Sequence, residues 1–459
     1  MFRFFSMIMI ACATAFVGVP AYAQETSATP ASVVLERIKT AKGICERQSP
    51  SFTTEVVITE EKKAVWKKVK GKKNPQKAWR VTKERSESVT ERPIVLCAFS
   101  EREQSWHVIH VHVPYPQKTN FQYTLRTPGY RLEHVSGKGV ARLVFDAFRV
   151  TAEGEEKLIV YRYLHSWFSS EALVKGNNAK RLLEDARFVS YTPLAQDLFS
   201  NELLAMGMRY LYGELMEAFR ELRAAREPSK TFPEELLADV IDWRIPFALA
   251  ANEQMDHDKF NADEWSTTAN VYTEFALDGP EAFMWSFSNF PYKGRTEHAA
   301  GVMQFTNHMG TYDSVRKECP RARLDPDFLR GAQDLRNALK ASICLLDIEL
   351  ARLPGVHAQY RSNPAIGGVY PVIAYNAGAG RARSAYNAIT SNGIDLEQAD
   401  LGLPQQIFTR KQNCRTCGKK KTKSALQVLP RETEMYIKKY IYVLKFIQEF
   451  QLERTQPAG

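Results

Sequence analysis

The spacing of hydrophobic residues changes along this chain, from alternation in the first part to helical periodicity in the second. A short helix is predicted at 32–44, where apolar residues recur at helical spacing. Between about 52 and 168, apolar and polar residues alternate in short runs separated by glycine, proline and polar clusters, which is typical of antiparallel strands. From residue 170 onward the helical spacing returns. The pattern therefore predicts an α+β fold.

The second part contains several helix signals. An amphipathic stripe at 199–222 predicts one long helix. Thr231 is predicted to cap the next helix, with Pro233 in its first turn. Pro246 is expected to begin another helix, which ends near Glu253. Further helices are predicted at 267–276, 325–353, 370–388 and 432–449.

The N-terminus has the composition of a signal peptide. Arg3 precedes an apolar run at 4–19, and Ala21-Tyr22-Ala23 follows as a cleavage site with small residues. We expect residues 1–23 to be a signal peptide that is cleaved after Ala23. The mature protein is then expected to be periplasmic or secreted.

The changes in pattern divide the mature chain into three parts. An antiparallel β-rich N-terminal domain of unknown role is predicted at 24–168. A helical connector follows at 169–231, and an all-α domain is predicted at 232–450.

Export changes the interpretation of the cysteines. The chain has 7 cysteines, and Cys12 would be removed with the signal peptide. An even number in an oxidising compartment favours disulfides. Pairing by region gives Cys45–Cys97, Cys319–Cys344 and Cys414–Cys417. A zinc site at Cys414 and Cys417 is an alternative, but zinc would need two further ligands, and no histidine or second such pair lies nearby in the sequence.

The net charge of +10 indicates an anionic partner. The signal peptide argues against nucleic acid, whereas a polyanionic cell envelope is compatible with it. Lysine and arginine are concentrated at 62–80, where two tryptophans are interleaved, and in an insert at 404–430. Each stretch could bind an anionic polymer. At 62–80 the favoured alternative is a solvated hairpin between two strands, and at 404–430 the alternative is a solvated excursion.

Three stretches in the second half carry the functional signal. They read Gly301-Val302-Met303-Gln304, Ala374-Tyr375-Asn376-Ala377-Gly378 and Glu432-Thr433-Glu434-Met435-Tyr436-Ile437. In this order, after an apolar helix that ends in a carboxylate, they resemble the signatures Gly-Leu-Met-Gln, Ala-Tyr-Asn-Ala-Gly and Glu-Thr-x-x-Tyr-Val of the lytic transglycosylases. The resemblance covers about 232–450 and implies a goose-type-lysozyme-like α domain.

The resemblance implies glycan cleavage by one glutamate. In that family the glutamate protonates the leaving oxygen and then accepts the proton of the muramic acid 6-hydroxyl, which closes to a 1,6-anhydro product. Most glycosidases add a second carboxylate. Here intramolecular attack replaces water. A carboxyl group at the end of an apolar helix suits this role, because desolvation disfavours its charged form.

The predicted catalytic acid is Glu253, which ends the apolar helix. The serine that follows the glutamate in the family is missing here, and Gly301 lies farther along the chain than usual. Glu281 fits the usual spacing better, but it lies at a predicted helix start rather than at an end. Two weaker candidates are Glu274 and Glu297.

The resemblance also assigns roles to five other residues. Gln304 would line the saccharide cleft, and Tyr375 would lie beside the catalytic acid. Asn376 would begin a tight turn. Glu432 and Tyr436 would line the far wall of the cleft. No cofactor and no metal are expected.

The expected function is that of an exported lytic transglycosylase, which cleaves the β-1,4 MurNAc-GlcNAc bond of peptidoglycan. A hydrolase on the same fold, which would release reducing ends, is one alternative. A non-catalytic wall-binding or envelope-assembly protein is the other. The expected partners are glycan strands, together with envelope proteins bound through the N-terminal domain, and no nucleic acid.

Overall fold

The computed structural model describes residues 29–67, 76–115, 122–135, 147–167, 183, 187–192, 198–284, 286–292, 295–306, 311–391 and 431–450. The predicted signal peptide and the basic insert at 404–430, with the predicted Cys414–Cys417 bond, lie outside these residues. The side chains of the basic stretch at 62–80 also lie outside the description.

The first described helix, α1, spans Ala31–Cys45 and leads into a β-rich region. The strands are β1 Thr53–Lys67, β2 Gln76–Ser100, β3 Ser105–Pro114, β4 Thr124–Leu125, β5 Tyr130–Val135, β6 Ala147–Ala152, β7 Lys157–Trp167 and β8 Arg187–Tyr191. They form one antiparallel sheet in the order β4-β3-β2-β7-β6-β5, with β1 beside β2 and β8 beside β7. The predicted antiparallel region is confirmed, and β8 continues it into the stretch assigned to the connector.

Strand β3 shows why the alternation predicted strands. Ile109, Val111 and Val113 are buried on one face, whereas His110 and His112 on the other face are half-buried. Successive side chains of a strand point to opposite faces. The first face joins the core, and on the second face Trp106 and Val108 share the side of the histidines and pack against the buried cluster of α1.

The cysteine predictions have different outcomes. A disulfide joins Cys45 of α1 to Cys97 of β2, with 6.0 Å between their Cα atoms, which confirms the predicted pair. The predicted Cys319–Cys344 bond is wrong for this structure, because both residues are free, buried thiols. They contact through a hydrogen bond instead, and burial together with that contact raises the pKa of Cys344 well above its usual value.

The second region is mainly helical. Its helices are α2 Asn201–Ala224, α3 Leu237–Val240, α4 Arg244–Gln254, α5 His257–Ala262, α6 Glu264–Asp278, α7 Thr311–Glu318, α8 Phe328–Gln333, α9 Leu335–Ala351, α10 His357–Ser362, α11 Pro364–Gly367, α12 Val369–Ala377, α13 Ala379–Ser391 and α14 Arg431–Glu449. One hydrophobic core joins these helices, including α2. A mixed α+β architecture is therefore confirmed. None of the helices in the described part of the chain combines the length and apolar character needed to cross a membrane.

Four predictions for this region need correction. The helix expected at 325–353 is divided into α8 and α9 at Asp334, and the helix expected at 370–388 is divided into α12 and α13 at Gly378. The region is not all-α, because β9 Phe287–Tyr292, β10 Arg295–Ala300 and β11 Phe305–Thr306 form a three-stranded antiparallel sheet. Thr231 does not cap a helix. Its hydroxyl donates to the carbonyl of Asp347 at 3.0 Å and its backbone N–H donates to the Asp347 carboxylate at 3.3 Å, so the turn is bound to α9.

Candidate active site

Helix α4 carries the predicted acid at its C-terminal end. Pro246 lies in the first turn, where its missing N–H breaks no helical hydrogen bond. Every residue from Ile245 to Gln254 is buried, which is the pattern of a helix that is covered on all sides. Glu253 is 7% exposed and therefore offers its carboxyl group in a largely desolvated position.

Helix α14 crosses the end of α4 and supplies the contact to this carboxyl group. The hydroxyl of Tyr436 donates a hydrogen bond to Oε1 of Glu253. The side-chain amide of Asn252 donates to the Tyr436 carbonyl at 3.0 Å, and the buried ammonium of Lys439 donates to the Met255 carbonyl. The two helices are thus fixed to each other on both sides of Glu253.

Lys439 is a site residue that the sequence analysis missed. It also donates to the Asn252 carbonyl at 3.4 Å, so it satisfies backbone groups at the end of α4 that have no partner within the helix. A cation is favoured at the C-terminal end of a helix. Its position three residues after Tyr436, on the same helix face, was the available signal.

The turn at Gly301–Gln304 lies beside the end of α4. Nε2 of Gln254 donates to the carbonyls of Gly301 at 3.1 Å and Val302 at 2.7 Å. Gln254 and Gly301 are 47 positions apart in the chain, and α5, α6 and the β9–β10 hairpin fill the interval. The long separation therefore does not keep the turn away from Glu253.

Gly301 is required by the geometry of this turn. Its φ is 72°, a conformation that side chains rarely adopt, and a Cβ atom would lie 1.7 Å from the carbonyl oxygen of Ala332. The first residue of the predicted motif is therefore fixed by close backbone packing against α8.

Gln304 is buried, and its amide nitrogen donates into the turn. Nε2 contacts the Gly301 carbonyl at 2.8 Å, the Ser286 carbonyl at 3.2 Å and the Ser286 hydroxyl at 3.1 Å. The same hydroxyl donates to Oε1 of Gln254 at 2.8 Å. Ser286 thus links the two glutamine side chains. It was missed because no local motif marks it and its partners are distant in sequence.

Tyr375 lies at the end of α12 and reaches the same turn. Its hydroxyl donates to the Met303 carbonyl at 2.7 Å, and its ring packs edge-on against Phe305, with 5.8 Å between centroids. Burial and the nearby carboxylate of Glu253 raise the pKa of Tyr375 well above its usual value. Tyr375 and Glu253 are therefore electrostatic neighbours.

The other two predicted residues lie at the edge of this arrangement. Asn376 is exposed, two residues before Gly378, whose φ of 81° ends α12. Glu432 is exposed in the first turn of α14, one helical turn before Tyr436. An acidic residue at that position favours the helix N-terminus.

The alternative glutamates have different environments. Glu281 accepts from Nζ of Lys42 at 2.5 Å and from Nη2 of Arg162 at 2.9 Å. Glu274 is buried beside Asp278, and its pKa is raised well above the usual value by burial and by that neighbouring carboxylate. The backbone of Glu297 pairs with Phe290 in the β9–β10 hairpin.

Among the described residues, no group of three or more His, Cys, Asp or Glu side chains could hold a metal ion. In comparisons with known proteins, the chain matches no family model, no curated protein and no solved structure.

Proposed function

We propose that this protein is an exported peptidoglycan lytic transglycosylase with a lysozyme-like helical domain. The observation that carries the proposal is the convergence of three separate motifs on one carboxyl group. Tyr436 contacts Glu253 directly, while Gln254, the next residue, and Tyr375 both bind the Gly301 turn. These are the stretches that resemble the family, and the long insertion after α4 does not separate them.

In the proposed reaction, Glu253 transfers its proton to the glycosidic oxygen as the bond between that oxygen and C1 of MurNAc breaks. The carboxylate then accepts the proton of the MurNAc 6-hydroxyl, whose oxygen forms the new bond to C1. Glu253 ends in its starting state, and a 1,6-anhydro ring is the product. General acid–base catalysis by one such group typically contributes about 10²- to 10⁴-fold to the rate.

The surrounding residues support this role through position. The hydroxyl of Tyr436 orients one carboxyl oxygen of Glu253. The Gly301 turn, held by Gln254 and Gln304, lies beside the end of α4 that carries Glu253. A positive net charge of +10 favours association with an anionic wall.

Digestion of purified sacculi by the mature chain, residues 24–459, tests the proposal. Mass spectrometry of the soluble products should detect muropeptides with 1,6-anhydro ends. Reducing ends would make the protein a hydrolase on the same fold. If no products form while the protein still sediments with sacculi, the proposal fails in favour of a non-catalytic wall-binding protein.

A further inference from the structure

A buried arginine joins the β-rich region to the helix that leads into the site. Arg162 lies in β7 and is 1% exposed. Within its own sheet, Nε donates to the Ser190 hydroxyl at 2.7 Å, and Nη1 donates to the Thr192 hydroxyl at 3.0 Å. The guanidinium is therefore held in a fixed orientation by β8 and Thr192, and it also faces the helical region.

The same guanidinium binds two carboxylates of the helical region. Nη1 donates to Oδ1 of Asp278, the last residue of α6, and Nη2 donates to Oε2 of Glu281 at 2.9 Å. Asp278 also accepts from the backbone N–H of Thr192 at 3.1 Å and from its hydroxyl at 2.8 Å. Two charge-assisted contacts with fixed geometry thus hold the C-terminal end of α6 against the sheet.

The end of α6 lies a few residues before Ser286. Ala282 and Phe283 between them are buried in the main hydrophobic core, and the Ser286 N–H donates to the Phe283 carbonyl at 2.9 Å. The Ser286 carbonyl in turn accepts from Gly301 at 3.0 Å. A continuous series of hydrogen bonds and packed side chains therefore connects Arg162 with the turn beside Glu253.

The apolar contacts at this junction fit the same arrangement. Val34 and Ile38 of α1 belong to one buried cluster with Cys97 of the sheet, Leu203 of α2 and Leu277 of α6. The β-rich region is thus packed against α6 itself, next to the residue that Arg162 binds.

We propose that Arg162 is a positioning residue for the site and that the β-rich region braces the Gly301 turn. By holding Asp278 and Glu281, Arg162 fixes the segment that ends at Ser286, and Ser286 holds Gly301 and Gln254 beside Glu253. The kinetic part of this inference rests on the proposed function, whereas the structural part does not.

Arg162→Lys tests the inference because it retains the charge but loses the planar fork that binds two carboxylates. Amide hydrogen exchange in 286–306 should become about tenfold faster, and kcat on soluble glycan strands should fall about tenfold with KM unchanged. The matched control is Arg131→Gln, an exposed arginine of the same sheet that pairs with Glu155, and it should change neither quantity.

Asp278→Asn weakens the contact between Arg162 and Asp278 by removing the negative charge of its partner. It replaces Arg162→Lys in the experiment if that variant does not fold. An equal rise in exchange along the whole chain would overturn the inference, because it would indicate plain destabilisation. Unchanged exchange in 286–306 would also overturn it. If the wild-type chain releases no product from glycan, the proposed function fails, and the exchange experiment still decides the role of Arg162.

Discussion

Two glutamates of this protein lie at the ends of helical segments, and they accept hydrogen bonds from different parts of the chain. Glu253 ends α4 and accepts a hydrogen bond from the neutral hydroxyl of Tyr436. Glu281 ends a 3₁₀ turn at the junction with the sheet and accepts from two cations, Lys42 and Arg162. Both cations come from the β-rich part of the chain, Lys42 from α1 and Arg162 from β7, whereas Tyr436 belongs to a helix that shares a core with α4.

Sequence spacing alone would have favoured Glu281, because its separation from Gly301 is nearer to the spacing that the resemblance implies. The contacts favour the opposite assignment: Glu253 for proton transfer and Glu281 for holding two regions together. A glutamate's partners therefore separate the two roles where its position in the chain does not.

Gly301→Ala would disrupt the turn that lies beside Glu253. The new Cβ would overlap the Ala332 carbonyl and would impose a strained φ, so the free energy of unfolding should fall by about 2–4 kcal/mol. Denaturant unfolding followed by circular dichroism measures the change.

Two other glycines provide controls for that substitution. Gly378 has a positive φ but no atom within 4 Å of its Cβ position, so Gly378→Ala should cost only the backbone strain, about 1–3 kcal/mol. Gly380 lies in α13 with open space around it, and Gly380→Ala should be neutral or stabilising by up to about 1 kcal/mol. Equal losses at all three positions would contradict the close packing inferred at Gly301.

Glu274→Gln tests the junction between α6 and the sheet, where Glu274 lies beside Asp278. The pKa of Glu274 is raised in the folded protein, so the native state binds more protons than the unfolded state above the ordinary value of 4.5. The contribution of Glu274 to the free energy of unfolding should be fully present below that pH. It should fall as the pH rises toward the folded pKa, by up to about 1.4 kcal/mol per pH unit.

Glutamine cannot ionise, so the unfolding free energy of the variant should lack this decrease with pH. The variant should therefore be more stable than the wild type at the highest pH measured. Unfolding free energies measured across a pH series give the comparison. Glu133→Gln, an exposed glutamate that pairs with Arg149, is the control and should follow the wild type. Parallel curves for wild type and Glu274→Gln would contradict the prediction.

Tyr436→Phe removes the hydroxyl from Glu253 while the ring stays packed. The rate at which soluble products form should fall about 10- to 100-fold, since a hydrogen bond to a charged group contributes about 1.5–3 kcal/mol. Tyr440→Phe is matched to it, because that hydroxyl lies on the same helix and donates to the Ala365 carbonyl at 2.9 Å. Tyr440→Phe should lose about 1 kcal/mol of stability and Tyr436→Phe about 1.5–3 kcal/mol, and only Tyr436→Phe should lose rate.

Elements with strong local periodicity could be predicted closely from the sequence. The helix expected at 32–44 is Ala31–Cys45, and the one expected at 432–449 is Arg431–Glu449. The β9–β10 hairpin could not be predicted, because Pro291 argues against a strand and the apolar residues around it do not alternate.

Features that depend on contacts between residues distant in the chain could not be predicted from the sequence. Thr231 has the local features of a helix cap, but Asp347, 116 positions away, binds it instead. The motifs indicated Tyr375 and Tyr436, whereas Ser286, Lys439 and Arg162 lie in no motif. The positions of Ser286 and Arg162 follow from a tertiary arrangement that local patterns do not contain, whereas the spacing of Lys439 from Tyr436 was a local signal.

The most direct test compares Glu253→Gln with Glu281→Gln in digests of purified sacculi, after circular dichroism shows that both variants fold. Mass spectrometry should find 1,6-anhydro muropeptides from the wild type and from Glu281→Gln. Their release should be about 10²- to 10⁴-fold slower with Glu253→Gln. An active Glu253→Gln variant beside an inactive Glu281→Gln variant would contradict the assignment of Glu253 as the catalytic acid.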